Sequence, residues 1–220
     1  MKEITLRSSW MLFSQLLQYP DATWQETSDD MYVDWCHLIQ EENEDVRDTL
    51  QTLAGDCIAS FAGMDAEAIT SAYVKTFDFN KKSNLYLTYG QLGEDRERGP
   101  ALLRLKQLYE EEDMIMDTDE LPDFLPLVLE YVAVAEMDRG IGLLVSFRKA
   151  LEQLKSALDK QNSPYRYVMD AILWILDDSG ITEGLIEISA PAACGSMPSA
   201  QGCGPMWAAA GYGQVKEGTS

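Results

Sequence analysis

The side chains best suited to chemistry fall in one interval, Tyr73 to Tyr131. Gly93, Asp95, Arg96, Arg98 and Gly99 form a glycine-bracketed cluster of mixed charge, followed by the run Glu120-Leu-Pro-Asp-Phe-Leu-Pro126. Each lies at the mouth of a helical pattern, where backbone donors and ionic side chains gather. Two uses suit such a cluster. A hydrolase could employ Asp78, Asp95 or Asp123 with the nearby arginines, but it would need closely paired carboxylates in a deep pocket. Alternatively, a guanidinium–carboxylate clasp from Arg96 or Arg98 to Asp123 would join two helix entrances and shape a binding surface, with no catalysis at all.

The missing residue types favour the second use. His37 is the only histidine. A di-iron bundle needs two Glu-x-x-His motifs, and a triad or catalytic zinc built on His37 would need partners that the sequence does not mark. His37 therefore reads as a polar residue on a helix. Cys36, Cys57, Cys194 and Cys203 contain no paired CxxC spacing, so they read as free thiols or small buried hydrophobes and not as a zinc site. Neither GxxxxGK[ST] nor GxGxxG occurs, so no nucleotide loop is indicated. No metal or cofactor is expected.

Charge is more informative. Between Lys106 and Arg139 no basic residue occurs, while eleven acids run from Glu110 to Asp138. A solvated helix face would explain Glu110 to Asp113 alone. The acids also flank Leu127 to Ala135, the most apolar stretch of the chain, and an apolar groove rimmed by carboxylates suits a basic amphipathic helix.

The elements that must position these groups are helical. Leu6, Trp10, Phe13 and Leu17 make one stripe, closed by Tyr19-Pro20, with Asp21 as a candidate cap for the segment that follows. Val46, Leu50, Leu53, Cys57 and Phe61 make another stripe, and Asp65 opens a helix carrying Ile69, Tyr73, Val74 and Phe77. Residues 80 to 93 are least helical. Leu85 to Tyr89 has strand propensity but no visible partner, and reads as extended loop or short helix. Pro100 fits the first turn of the next helix. Pro122 opens the one after, which Pro126, four residues on, should bend. Gly140 and Gly142 are expected to turn the chain into a helix bearing Leu144, Phe147, Leu151, Leu154 and Leu158. Tyr165, Val168, Ile172 and Ile175 stripe the last.

The expected architecture is all-α, a single bundle domain of six to eight helices over residues 1–178. The rest, 179–220, holds eight of the fifteen glycines and only four charged residues, and reads as a flexible, largely disordered tail. A net charge of −20 argues against nucleic acid or anionic lipid as partner. The first twenty residues lack a signal-peptide pattern, no stretch is apolar enough for membrane insertion, and the expected location is the cytoplasm.

These residues resemble a known family. Leu16-Leu17-x-Tyr19-Pro20-Asp21, Tyr73 with Phe77-Asp78, Gly93-x-Asp95-Arg96-x-Arg98-Gly99, and Glu120-Leu-Pro-Asp-Phe-Leu-Pro-Leu-x-Leu-Glu-Tyr131 are similar to the assembly chaperones of respiratory nitrate reductase, the NarJ-type branch of the molybdoenzyme maturation chaperones. The resemblance covers residues 10 to 178 and is most specific in the Glu-Leu-Pro-Asp run. It implies a helical cytoplasmic protein without enzymatic activity. Such a protein binds the N-terminal segment of the reductase catalytic subunit and assists insertion of molybdenum cofactor. Service to another molybdoenzyme, or a small acidic hydrolase, are the alternatives. On this reading Tyr73, Phe77, Asp78, Arg96, Arg98, Glu120, Asp123, Phe124, Leu127 and Tyr131 are the partner-binding candidates.

Overall fold

A computed structural model describes residues 1–80, 82–92, 98–116 and 120–186. The all-α class is borne out, with ten helices among the described residues. They are α1 (Glu3–Leu17), α2 (Trp24–Ile39), α3 (Glu44–Ala59), α4 (Ala66–Phe77), α5 (Leu87–Leu92), α6 (Arg98–Glu111), α7 (Leu125–Val134), α8 (Met137–Ser146), α9 (Arg148–Lys160) and α10 (Arg166–Asp178). This exceeds the six to eight expected because the apolar pattern hides two breaks. One isolates the six-residue α5. The other, at Phe147, divides what reads as one helix into α8 and α9.

The core forms where the stripes predict it. Leu6, Trp10, Phe13 and Leu17 are all buried, and α1 packs most extensively against α7. Full burial of side chains of this size contributes about 1.5–3 kcal/mol each. Polar contacts fix the register: the Ser14 hydroxyl donates to the Pro126 carbonyl at 3.0 Å, and Arg7 donates to the Ala133 carbonyl at 2.5 Å. Helix α7 is buried on nearly every side, as its composition requires. Helix α2 has a ragged pattern and buries only Trp24, Ser28, Trp35 and Ile39, with the Trp35 indole donating to Ser9 Oγ at 2.9 Å. Around these, α10 packs on α3 and α9, and α5 on α9.

Capping chemistry sets several starts. Asn43 Oδ1 accepts from the Val46 N–H at 3.0 Å, and Asp65 Oδ1 from the Ala68 N–H at 2.8 Å. Three local readings need correction. Asp21 does not cap α2. Its carboxylate accepts from the Thr23 N–H and hydroxyl, ordering the turn one step earlier. Pro126 does not bend a helix, because α7 starts at Leu125 and Pro126 occupies its first turn, where the missing N–H costs nothing. Gly140 and Gly142 are not a turn but lie inside α8. There a Cβ would come within 3.1 Å of the α7 backbone at Val132 and of Leu185, respectively, so the glycines serve close packing.

Helix α10 closes at Asp178, with Gly180 at φ +67° taking the left-handed turn that follows. The chain then returns to α8: the Leu185 N–H donates to the Gly142 carbonyl at 3.0 Å, and the Ile186 N–H to Ser146 Oγ at 3.1 Å. The remainder of the glycine-rich tail, with Cys194 and Cys203, lies outside the described residues. Among the described residues no helix is long and apolar enough to cross a membrane.

Candidate partner-binding site

The site begins with a pairing that crosses the bundle. Residues 85–87 meet residues 123–125 in a single antiparallel bridge centred on Tyr86 and Phe124. The Leu87 N–H donates to the Asp123 carbonyl at 3.0 Å, and the Leu125 N–H to the Leu85 carbonyl at 2.8 Å. Only the start of Leu85 to Tyr89 is strand-like, paired with the Pro-Asp-Phe turn, and from Leu87 onward the stretch is the short helix α5, one of the two forms expected. The two rings pack at 5.6 Å, and the Tyr86 hydroxyl donates to Glu120 Oε2 at 2.7 Å.

Beside this bridge is Asp123, 0% exposed. Its Oδ2 accepts from the Thr88 N–H at 3.1 Å, the Thr88 hydroxyl at 2.5 Å and Arg98 Nη2 at 3.3 Å. Arg98 Nε also donates to Thr88 Oγ1 at 3.0 Å, and its guanidinium stands 5.8 Å from the centre of the Tyr89 ring. The clasp thus ties the entrance of α6 to the turn before α7, with Thr88 of α5 as third member. Gly93, Glu94, Asp95, Arg96 and Glu97 lie outside the described residues. Asp123 Oδ1 is buried with no hydrogen-bond partner among the described residues, and the fully buried carboxylate offers a substrate no open face.

The other sequence candidates divide by burial. Tyr73 and Phe77 belong to an aromatic cluster with Tyr165, at ring separations of 6.0 and 4.8 Å, and the Tyr73 hydroxyl donates to the Leu17 carbonyl. Burial, then the charges of Asp78 and Glu120, raise the Tyr73 phenol above its ordinary range. Phe124, Leu127 and Tyr131 are buried as well, with Tyr131 stacked on Tyr109 at 5.0 Å. Asp78 and Glu120 are exposed. The apolar candidates are therefore part of the core, as is the Asp123 carboxylate, while Asp78 and Glu120 stand on the surface.

A groove of about 700 Å³ opens where α6 ends. Tyr109, Met114, Ile115, Met116 and Pro122 supply apolar surface, and Glu110, Asp113 and Glu120 oppose a single lysine, Lys106. Ile115 is 88% exposed, and Asp113 turns the chain at φ +56°. The Tyr109 hydroxyl donates to the Pro122 carbonyl at 2.6 Å and fixes one side. The acidic interval is not uniform. Glu112 pairs with Arg139 at 3.0 Å, Glu111 bonds Arg139 and Arg104, and Glu130 accepts from Ser14 and Gln18. The Arg139 contact holds Glu111 below the usual carboxylate range. Glu110 and Asp113 have no ion pair among the described residues, so their charge remains available to a ligand.

Sequence reasoning missed Thr88, which sits in a stretch without period, and the Met-Ile-Met run. Methionines beside acids are a readable sign of an adaptable binding surface. Among the described residues no cluster of His, Cys, Asp or Glu is arranged to hold a metal ion.

This architecture is shared with proteins of known designation. Residues 39–169 match the family model for the nitrate reductase delta subunit. The chain is 38% identical over 173 residues to the probable nitrate reductase molybdenum cofactor assembly chaperone NarJ of Bacillus subtilis, covering 78% of this chain and 90% of that one. It is 27% identical over 190 residues to the nitrate reductase molybdenum cofactor assembly chaperone NarJ of Escherichia coli K12, covering 86% and 78%. A 30% identical match to the nitrate reductase-like protein NarX of Mycobacterium tuberculosis spans 74% of this chain but 23% of that longer protein. A solved structure from Archaeoglobus fulgidus, described as a redox enzyme maturation protein, shares the fold with a TM-score of 0.55 at 19% identity, over 78% of this chain and 93% of that one. The chain belongs to the nitrate reductase delta subunit family, whose NarJ-type members are maturation chaperones.

Proposed function

We propose that this protein is an assembly chaperone for a respiratory nitrate reductase, that it acts in the cytoplasm, and that it is not an enzyme. In this reading it holds a basic amphipathic segment at the N-terminus of the catalytic subunit while molybdenum cofactor is inserted. The observation that carries the reading is the groove at the end of α6, with its methionine-lined floor and the unpaired carboxylates of Glu110 and Asp113. An amphipathic helix would lay its apolar face on Met114, Ile115 and Met116 and direct its cations to the rim. The names of the Bacillus subtilis and Escherichia coli relatives support the choice of client. In the same reading Arg98, Asp123 and Thr88 hold the groove's proline-marked edge in place, Asp78 and Glu120 extend its acidic surround, and Tyr73, Phe77, Phe124, Leu127 and Tyr131 back it from within.

Isothermal calorimetry with a synthetic peptide of the catalytic subunit's N-terminus tests the reading. Binding should show a negative heat-capacity change and weaken with salt. The double variant Glu110→Gln, Asp113→Asn should weaken it about three- to tenfold, since each rim charge contributes up to about 1 kcal/mol. Asparagine tolerates the left-handed backbone at position 113, so the turn survives. Absence of heat at low salt, or equal affinity in the double variant, would overturn the assignment of this groove.

A further inference from the structure

A second groove, with a different lining, runs between α5 and α9 and encloses about 650 Å³. Its floor is apolar, from Leu87, Ala150 and Leu154, all buried. Its rim is basic. Lys82, Lys149 and Lys160 line it, all are exposed, and none is in an ion pair among the described residues. Its one lining carboxylate among those residues, Glu152, is already paired with Arg148 at 2.9 Å. This concentration is notable in a chain of net charge −20, where every described arginine except Arg166 is committed to a carboxylate.

The cations are divided between two ends. Lys149 and Lys160 are separated by three turns of α9, roughly 16 Å at about 1.5 Å per residue. Lys82 belongs to the Lys160 end, because its neighbour Ser83 accepts from Gln161 Nε2 at 3.0 Å. A single phosphate or other compact anion cannot reach both ends. A chain segment can: about five extended residues at about 3.3 Å each span the gap. Gln153, between the ends, presents a carboxamide that can both donate to and accept from a peptide backbone.

We propose that this groove binds an acidic peptide segment of a partner protein. Carboxylates at the segment's two ends face Lys149 and the Lys82–Lys160 pair, and apolar side chains between them rest on Leu87 and Leu154. The site is independent of the acidic groove and selects the opposite charge.

The test is fluorescence anisotropy of the full chain with a dye-labelled peptide of about six residues, a glutamate at each end and leucine and alanine between. A matched peptide with lysines at the ends serves as control. The glutamate peptide should bind and should weaken as salt is raised. It should lose about tenfold or more in affinity in Lys149→Glu, Lys160→Glu, two exposed substitutions whose fold is checked by thermal melting. It should bind Glu110→Gln, Asp113→Asn as it binds the parent. Equal affinity in the lysine variant, equal binding of the control peptide, or displacement by pyrophosphate at concentrations below those of the peptide would each overturn the proposal. The lysine substitutions leave the acidic groove intact, so failure here and failure of the acidic-groove assignment are distinguishable.

Discussion

Asp123→Ala removes a fully buried carboxylate that accepts three hydrogen bonds. Thr88, itself buried, would be left with an orphaned backbone N–H, which costs about 1–3 kcal/mol. Arg98 would lose its ion partner. Its side chain is 22% exposed, so water restores part of the loss and that component stays under about 1 kcal/mol. The sum, about 1–4 kcal/mol, lowers Tm by roughly 2–16 °C for a chain of this size. Asp123→Asn keeps the shape and one acceptor, forfeits charge assistance and sets an amide donor where Oδ1 has no partner among the described residues, together about 1–3 kcal/mol. Urea unfolding followed by circular dichroism and tryptophan fluorescence measures both variants, and a cycle with Arg98→Gln isolates the pair. The double variant should lose less than the sum of the singles by about 0.5–1 kcal/mol. Strict additivity, or an Asp123→Ala protein that melts within about one degree of the parent, would refute the clasp as a structural link.

Alkali should unfold the protein earlier than acidity of the exposed groups would suggest. Burial raises the Cys57 thiol to about 12 and pushes the Tyr73, Tyr109 and Tyr165 phenols above their usual value. These neutral forms favour the folded state, so stability is full below the ordinary thiol and phenol values and is lost as pH rises past them toward the raised ones. Phenolate absorbance should show a late, cooperative step, and ordinary titration of every tyrosine would contradict it. Gly140→Ala should cost about 1–3 kcal/mol, because the added methyl meets the α7 backbone at Val132 and helix propensity returns only about 1 kcal/mol. Gly99→Ala, with nothing within 4 Å, should be neutral or slightly stabilising, and thermal melts separate the two. Tyr165→Phe deletes a buried hydroxyl with no partner among the described residues and should hold or raise Tm; a loss above about 1 kcal/mol would show that the hydroxyl is bonded.

Periodicity made the buried faces of α1, α9 and α10 legible, since each carries one apolar stripe. The misreadings share a cause, which is that the deciding contact lies far away in sequence. Two prolines four residues apart could each open or bend a helix. The choice falls to the Tyr86–Phe124 bridge, which holds residues before Leu125 extended. Gly140 reads as a turn until Val132 is seen against it. In the site, Arg98 and Asp123 were recognisable by charge, while Thr88 was not, because a hydroxyl in an aperiodic stretch carries no signal of its own. Tyr73, Phe77, Phe124, Leu127 and Tyr131 look the same in sequence whether they face a partner or the core.

The seating of α1 on α7 has a consequence for how the molecule is made. Helix α1 ends at Leu17 and its seat is complete only at Val134, about 117 residues later. At about 5–20 residues per second, the N-terminal helix waits roughly 6–23 s on the ribosome for α7 to be made. A nascent chain that stalls before Val134 has α2 to pack on α1 but lacks the helix against which α1 packs most extensively. A member of a chaperone family therefore passes through its own interval of vulnerability during synthesis, with a duration set by the spacing of two helices along the chain.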